Sequence, residues 1–160
     1  RTRSIERINN QIEKFNKIKE NFIKDGISEY TKRLSNYDSF SIIEVKEVNT
    51  KSIIDNIKSE GENILNKIND DEYVITLEIE GKMLDSKELA TFIDNKKTYG
   101  HSKITFVIGG SNGISNEVKQ RSNYALSFSR FTFPHQLMRL IFVEQLYRAF
   151  TIINNQEYHK

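Results

Sequence analysis

The sequence predicts an α/β fold with a mostly parallel sheet flanked by helices. Three observations carry this reading. Short apolar runs of strand type alternate with longer runs at helical spacing, the order expected of βαβ units. Two strands end in small or polar loops that lead into helices. Ile104 to Ile108 runs into Gly109-Gly110-Ser111-Asn112-Gly113, and the run at 124–129 ends in a turn at the only proline, Pro134. The last helix is apolar nearly all round, which predicts burial on both sides and raises the prospect that one side is a subunit interface.

A chain of 160 residues is one ordinary domain, large enough to bury a core. Hydrophobic residues make up 37% and charged residues 29%, the balance of a soluble globular protein. No run approaches the ~20 apolar residues of a membrane span, so no membrane partner is expected. The polar N-terminus carries no apolar signal core, and cysteine is absent; both suit the cytoplasm. With only His101, His135 and His159 and no thiolate, no metal site is expected. A net charge of +2 is too small for a global field to capture nucleic acid, so such binding needs a local patch.

In chain order, residues 1–34 read as amphipathic helix, with Gly26 as a break or kink. Residues 39–46 read as a strand on Phe40, Ile42, Ile43 and Val45. Residues 51–68 have helical spacing interrupted at Gly61, and Asn69-Asp70-Asp71 is a turn. Tyr73 to Ile79 is a strand ended by Gly81. Asp85 or Ser86 caps a helix over 86–97 whose Leu89, Ala90, Phe92 and Ile93 point inward. Gly100 precedes the strand at 104–108, and a helix over 136–153 follows Pro134. No repeat, low-complexity tract or linker divides residues 1–160.

Four stretches carry chemistry. The glycine loop at 109–113 lets backbone approach a ligand, but it is neither a dinucleotide fingerprint nor a P-loop; a plain tight turn reads equally well. If the loop does hold a ligand, Gly109→Val abolishes binding and spares the fold. In residues 127–135, SFSRFTFPH, the Ser129 and Thr132 hydroxyls suit the polar edge of a small ligand, and Phe128, Phe131 and Phe133 its apolar part. The competing reading is a strand edge with core aromatics, Thr132 or Phe133 capping the next helix. Glu144 and Arg148 are an (i, i+4) pair, ordinary on a helix surface. The tail Glu157-Tyr158-His159-Lys160 combines an aromatic face with potential cations, the elements that stack on a base and meet phosphate; otherwise it is a frayed end.

Taken together, VITLEIEGKMLDSKELA, FVIGGSNGI, QRSNYALSFSRFTFPHQLMRLIFVEQLYRAF and the terminal EYHK resemble the large-subunit ribosomal RNA methyltransferase H family, a member of the SPOUT class. The resemblance is dense over the last ninety residues or so. It implies a SPOUT-type α/β knot with a C-terminal trefoil, an obligate homodimer, and S-adenosylmethionine as cofactor. It also implies methylation at N3 of a pseudouridine in large-subunit ribosomal RNA within assembled ribosomes. On the matching positions it places cofactor contacts at Leu77, Gly109, Phe128, Ser129, Arg130, Phe131, Thr132 and Phe133. The start departs from the pattern: the family's short apolar strand and Gly-Lys fall on Ile12-Glu13-Lys14-Phe15-Asn16-Lys17, polar and helical in period, so residues 1–16 are an atypical segment.

For that reaction the N3 proton must leave, and His135 is the expected base. Arg130, Arg139 and Arg148 are candidates for phosphate contact or for stabilising negative charge on the uracil oxygens. Tyr158 and His159 are expected to touch RNA, across the dimer. The catalytic set is thus His135, Arg148 and Tyr158. The alternatives are a SPOUT enzyme with another RNA target and a non-catalytic ribosome-binding module.

Overall fold

A computed structural model describes residues 21–110 and 112–160 of the chain. The expectations for residues 1–20, the atypical segment 1–16 included, lie outside the described residues. Among the described residues the strands are β1 (Tyr73–Met83), β2 (Ile104–Val107) and β3 (Tyr124–Ser127). Residues 21–34 are helical and are called α1. The later helices are α2 (Ile53–Leu65), α3 (Ser86–Thr98), α4 (Asn116–Arg121) and α5 (His135–Ile153). The sheet runs β2-β1-β3 and every pairing is parallel, as the alternation of strands and helices predicts.

The central strand explains the layering. Val74, Ile75, Thr76 and Leu77 are all buried, the continuous run of a parallel strand covered on both faces. Ile75 and Leu77 join Leu89, Ala90 and Ile93 of α3 and Phe142, Val143, Leu146 and Ala149 of α5 in the main core. Val74 points the other way and meets Val107 and Val118, with Ile64 and Leu65 of α2 packed on them. The sheet is therefore the middle of three layers, and burying both faces is the chief stabilising term.

Within this frame α5 finds its cover inside the chain. Phe142 meets Phe106 of β2 edge-on, ring centres 4.9 Å apart. Tyr147 lies 5.8 Å from Tyr30 of α1, and Ser86 of α3 bonds Gln145 at 2.6 Å. Leu137 and Ile141 remain half-exposed on one stripe.

Several sequence expectations are corrected. Among the described residues, 39–46 pair with no strand. They are held instead by side chains: Glu44 by Arg139 at 2.8 Å, and the following Val48 N–H by Glu60 at 2.9 Å. Strand propensity expresses itself only against a neighbour to pack on, and here Ile43 is 64% exposed. Gly26 does not break α1, and Gly61 does not interrupt α2. Both glycines sit where two elements touch. A Cβ on Gly26 would lie 2.6 Å from Leu140 Cδ1, and one on Gly61 2.2 Å from Ser115 Oγ. Gly81 does not end β1, which continues to Met83. The register against β3 shifts between Leu77 and Lys82, and a Cβ on Gly81 would lie 2.7 Å from the Ala125 carbonyl oxygen. The first residue of α5 is His135, with Pro134 at its N-cap and no side-chain cap, so neither Thr132 nor Phe133 caps it. Asp85, rather than Ser86, caps α3 in a reciprocal capping box with Glu88.

Candidate active site

The loops after β2 and β3 both leave the carboxyl edge of the sheet, where α/β proteins place ligands. After β2 the chain turns tightly. Gly113 N–H bonds the Gly110 carbonyl at 3.1 Å, and Gly113 has φ +93°. A Cβ on Gly109 would lie 2.8 Å from Ile114 Cγ1 and 3.1 Å from the Gly113 carbonyl carbon. The space around Gly109 is thus taken by its own loop, and the expectation that Gly109→Val would spare the fold is corrected.

After β3, Ser127 is fully buried, and Ser129 Oγ accepts the Phe131 N–H at 3.0 Å, a local turn that fixes the backbone. Phe128 and Phe133 pack edge-on at 5.6 Å, while Phe131 is 79% exposed. Arg130 and Thr132 are exposed. Phe128, Ser127, Leu126, Leu84 and Asp85 line a cavity of about 260 Å³. Leu77 is buried in the core opposite Leu126, so only its backbone can face a ligand here.

A larger cleft of about 990 Å³ runs between residues 39–47, β2 and α5, and reaches Gly109, Gly110 and His135. At its rim His135 Nε2 lies 3.5 Å from Glu47 Oε1 and 3.2 Å from the Gln136 amide nitrogen. Arg139 is committed to Glu44, whose carboxyl it holds below the usual range by hydrogen bond and charge.

The far end of α5 holds a second constellation. Asn154 caps the helix and Asn155 takes φ +53°. Gln156 N–H then bonds the Thr151 carbonyl at 2.9 Å, and Asn155 N–H that of Ile152 at 3.1 Å, the Schellman pattern of a left-handed stop. This turn sends the tail back along α5. Tyr158 meets the Tyr147 ring edge-on at 4.7 Å and donates to Glu144 Oε1 at 3.0 Å; its hydroxyl is 3.5 Å from that of Tyr30. Arg148 bonds the same Glu144 oxygen at 2.7 Å, lies over the Tyr158 ring at 4.8 Å and reaches His159 Nδ1 at 3.1 Å. Burial first, then the bonds with Tyr30 and Glu144, push the Tyr158 phenol well above its ordinary value. Tyr158 is therefore a neutral hydrogen-bond donor at physiological pH. The tail is docked, not frayed.

Comparison with known proteins decides what this edge belongs to. The chain matches the family model described as "Predicted SPOUT methyltransferase" over residues 8–159. It belongs to the SPOUT methyltransferase family. Proteins named ribosomal RNA large subunit methyltransferase H are close to it throughout. The one from Bacillus pumilus is 56% identical over 90% of this chain and 94% of its own. That from Carboxydothermus hydrogenoformans is 51% identical over the same shares. That from Listeria monocytogenes is 49% identical over 96% of this chain and all of its own.

As a SPOUT methyltransferase the protein uses a methyl donor. The structure gathers Phe128, Ser129 and Phe133 at one loop, Gly109 and His135 at the neighbouring cleft, and Arg148 with Tyr158 elsewhere. His135 and Arg148 are thirteen residues apart on α5, about 20 Å at helical rise. One chain therefore does not bring the three expected catalytic residues together. Sequence reasoning saw Glu144 only as an (i, i+4) pair and gave no role to Tyr30 or Glu47. The Glu144–Arg148 spacing was the one available signal; Tyr30 and Glu47 become partners only through folding. Among the described residues no helix is long and apolar enough to cross a membrane.

Proposed function

We propose that this protein transfers a methyl group from S-adenosylmethionine to N3 of a pseudouridine in large-subunit ribosomal RNA, within assembled ribosomes in the cytoplasm. The carrying observation is the near full-length identity to relatives named ribosomal RNA large subunit methyltransferase H. The reading includes a single domain over residues 1–160, a C-terminal trefoil knot and a homodimer.

The donor fits this edge. A cavity walled by Phe128, Leu126 and Leu84, with the polar groups of Ser127 and Asp85 on its lining, combines apolar walls with few polar contacts, as cofactor sites do. Phe128 to Phe133 would hold the cofactor, with the main chain of Leu77 and Gly109 close by. When bound, S-adenosylmethionine supplies an electrophilic methyl on its sulfonium. The protein's own work is to place the base, strip its proton and exclude water. His135 accepts the N3 proton on the ring nitrogen turned away from Glu47, whose carboxylate lies 3.5 Å from Nε2 and orients the ring. Arg148 and Tyr158 present positive charge and a hydroxyl donor to the uracil oxygens, and Arg130 meets phosphate.

The distance between His135 and Arg148 along α5 favours a site built from two chains. In this reading the half-exposed Leu137 and Ile141 lie in the dimer interface, and one protomer's Arg148 and Tyr158 complete the other's loops. Incubating undermethylated ribosomes with labelled S-adenosylmethionine, then mapping the RNA by mass spectrometry, tests the activity. Label on N3 of a pseudouridine is the expected result. Label on another base overturns the target, and no label with intact cofactor binding favours a ribosome-binding module.

A further inference from the structure

We propose that Glu144 and Asn155 are positioning residues for the methyl transfer: Asn155 turns the tail back, and Glu144 fixes Arg148 and Tyr158 in one mutual geometry. The proposal rests on the reading above, in which Arg148 and Tyr158 act at the RNA.

Residues beyond a helix end sample many conformations, and each ordered residue costs conformational entropy. A tyrosine that must meet a base in one pose gains rate when that entropy is lost before the substrate arrives. Two features supply the ordering. Asn155 takes φ +53°, a region that asparagine visits far more readily than β-branched residues do. Without that turn the Gln156 and Asn155 bonds back into α5 cannot both form. Glu144 then acts as a shared acceptor. Its Oε1 takes the Arg148 guanidinium twice, at 3.1 and 2.7 Å, and the Tyr158 hydroxyl at 3.0 Å, while Oε2 takes the Gln145 amide at 2.9 Å. The Glu144 side chain is only 16% exposed, so charge-assisted bonds there are little screened. The groups around the phenol are Tyr30 of α1, Glu144, Tyr147 and Arg148 of α5, and His159 of the tail.

Four variants separate positioning from mere structure: Tyr158→Phe, Glu144→Gln, Asn155→Val and Asn155→Gly. Each is assayed for methyl transfer to ribosomes and for S-adenosylmethionine affinity by calorimetry. Glu144→Gln and Asn155→Val are expected to lower kcat about tenfold or more, the scale of a lost charge-assisted contact. Cofactor affinity is expected to stay unchanged. Asn155→Gly, which keeps the left-handed turn, is expected to retain kcat within about twofold. Should Asn155→Val fail to fold, ring-labelled tyrosine NMR on Glu144→Gln supplies the decisive measurement, since the Tyr158 signal should titrate at lower pH than in the parent. A Glu144→Gln protein with full kcat and an unmoved Tyr158 titration overturns the proposal while leaving a slow Tyr158→Phe to support the tail's role. If Tyr158→Phe itself methylates at the full rate, the tail reading falls and the positioning role with it.

Discussion

Gly109 and Tyr158 show how one residue's surroundings decide what a substitution reads out. Gly109 has its own loop within contact distance of any Cβ. Gly109→Val is therefore expected to lower the thermal midpoint by several degrees as well as cofactor affinity, the overpacking cost being about 1–3 kcal/mol. Thermal scans paired with calorimetry check this, and an unchanged midpoint with lost affinity would restore the ligand-space reading. Tyr158 has its phenol pushed up by burial and by its bonds with Tyr30 and Glu144. A group whose folded pKa is raised contributes stability that is fully present below its unfolded value, about 10 for tyrosine, and lost as pH rises through the folded one. The stability gap between the parent and Tyr158→Phe, about 1 kcal/mol for a partly exposed hydrogen bond, is expected to be flat from neutral pH to about 10 and to vanish above. Denaturant titrations at several pH values measure it. A gap that opens only at alkaline pH would mean that Glu144 does not hold the hydroxyl.

At the scale of elements, helix propensity and packing make opposite forecasts for Gly61. In an open helix Gly61→Ala would gain about 1 kcal/mol. Here the new methyl would lie 2.2 Å from Ser115 Oγ, and Ser115 is the N-cap of α4, accepting the Val118 N–H at 3.2 Å. The substitution is expected to cost about 1–3 kcal/mol instead, and urea midpoints give the sign directly. Asp85→Ala, which removes the capping box of α3, is expected to cost about 1 kcal/mol. These cases show what was legible. The cap of α3 stood in the sequence to within one residue, at Asp85 or Ser86, and the structure places it at Asp85. The roles of Gly26, Gly61 and Gly81 did not, because each glycine answers to an element far away in the chain. Residues 39–46 misread as a strand for the same reason: their pattern is local, and the ladder that would make it a strand is not.

For the whole molecule the proposed homodimer is the claim with most consequence. Leu137 and Ile141 on the half-exposed stripe of α5 would be covered, and two copies would each lend Arg148 and Tyr158 to the other's loops. Sedimentation at micromolar concentration is expected to show the dimer. Mixing a His135→Ala chain with an Arg148→Ala chain is expected to restore part of the methylation that each lacks alone. No recovery in a mixed dimer would place the whole site within one chain. Deleting residues 158–160 is expected to slow ribosome methylation and leave S-adenosylmethionine affinity intact. It should also lower stability slightly, since Tyr158 packs on Tyr147.

The sequence by itself determined the mostly parallel α/β order, a strand from Tyr73, the helix after Pro134 and the two loops at the carboxyl edge. It did so because periodicity, caps and glycine-rich turns are short-range signals that a linear reading captures. It also carried, through resemblance, the family that the comparisons then established. Only the tertiary structure decided that α5 is covered by α1, α3 and the sheet of its own chain. Only it set Glu47 beside His135 and folded the tail onto Glu144 and Tyr30. Those contacts join residues as far apart as 30 and 158, and no local pattern encodes a pairing that exists only once the layers have closed around a common core.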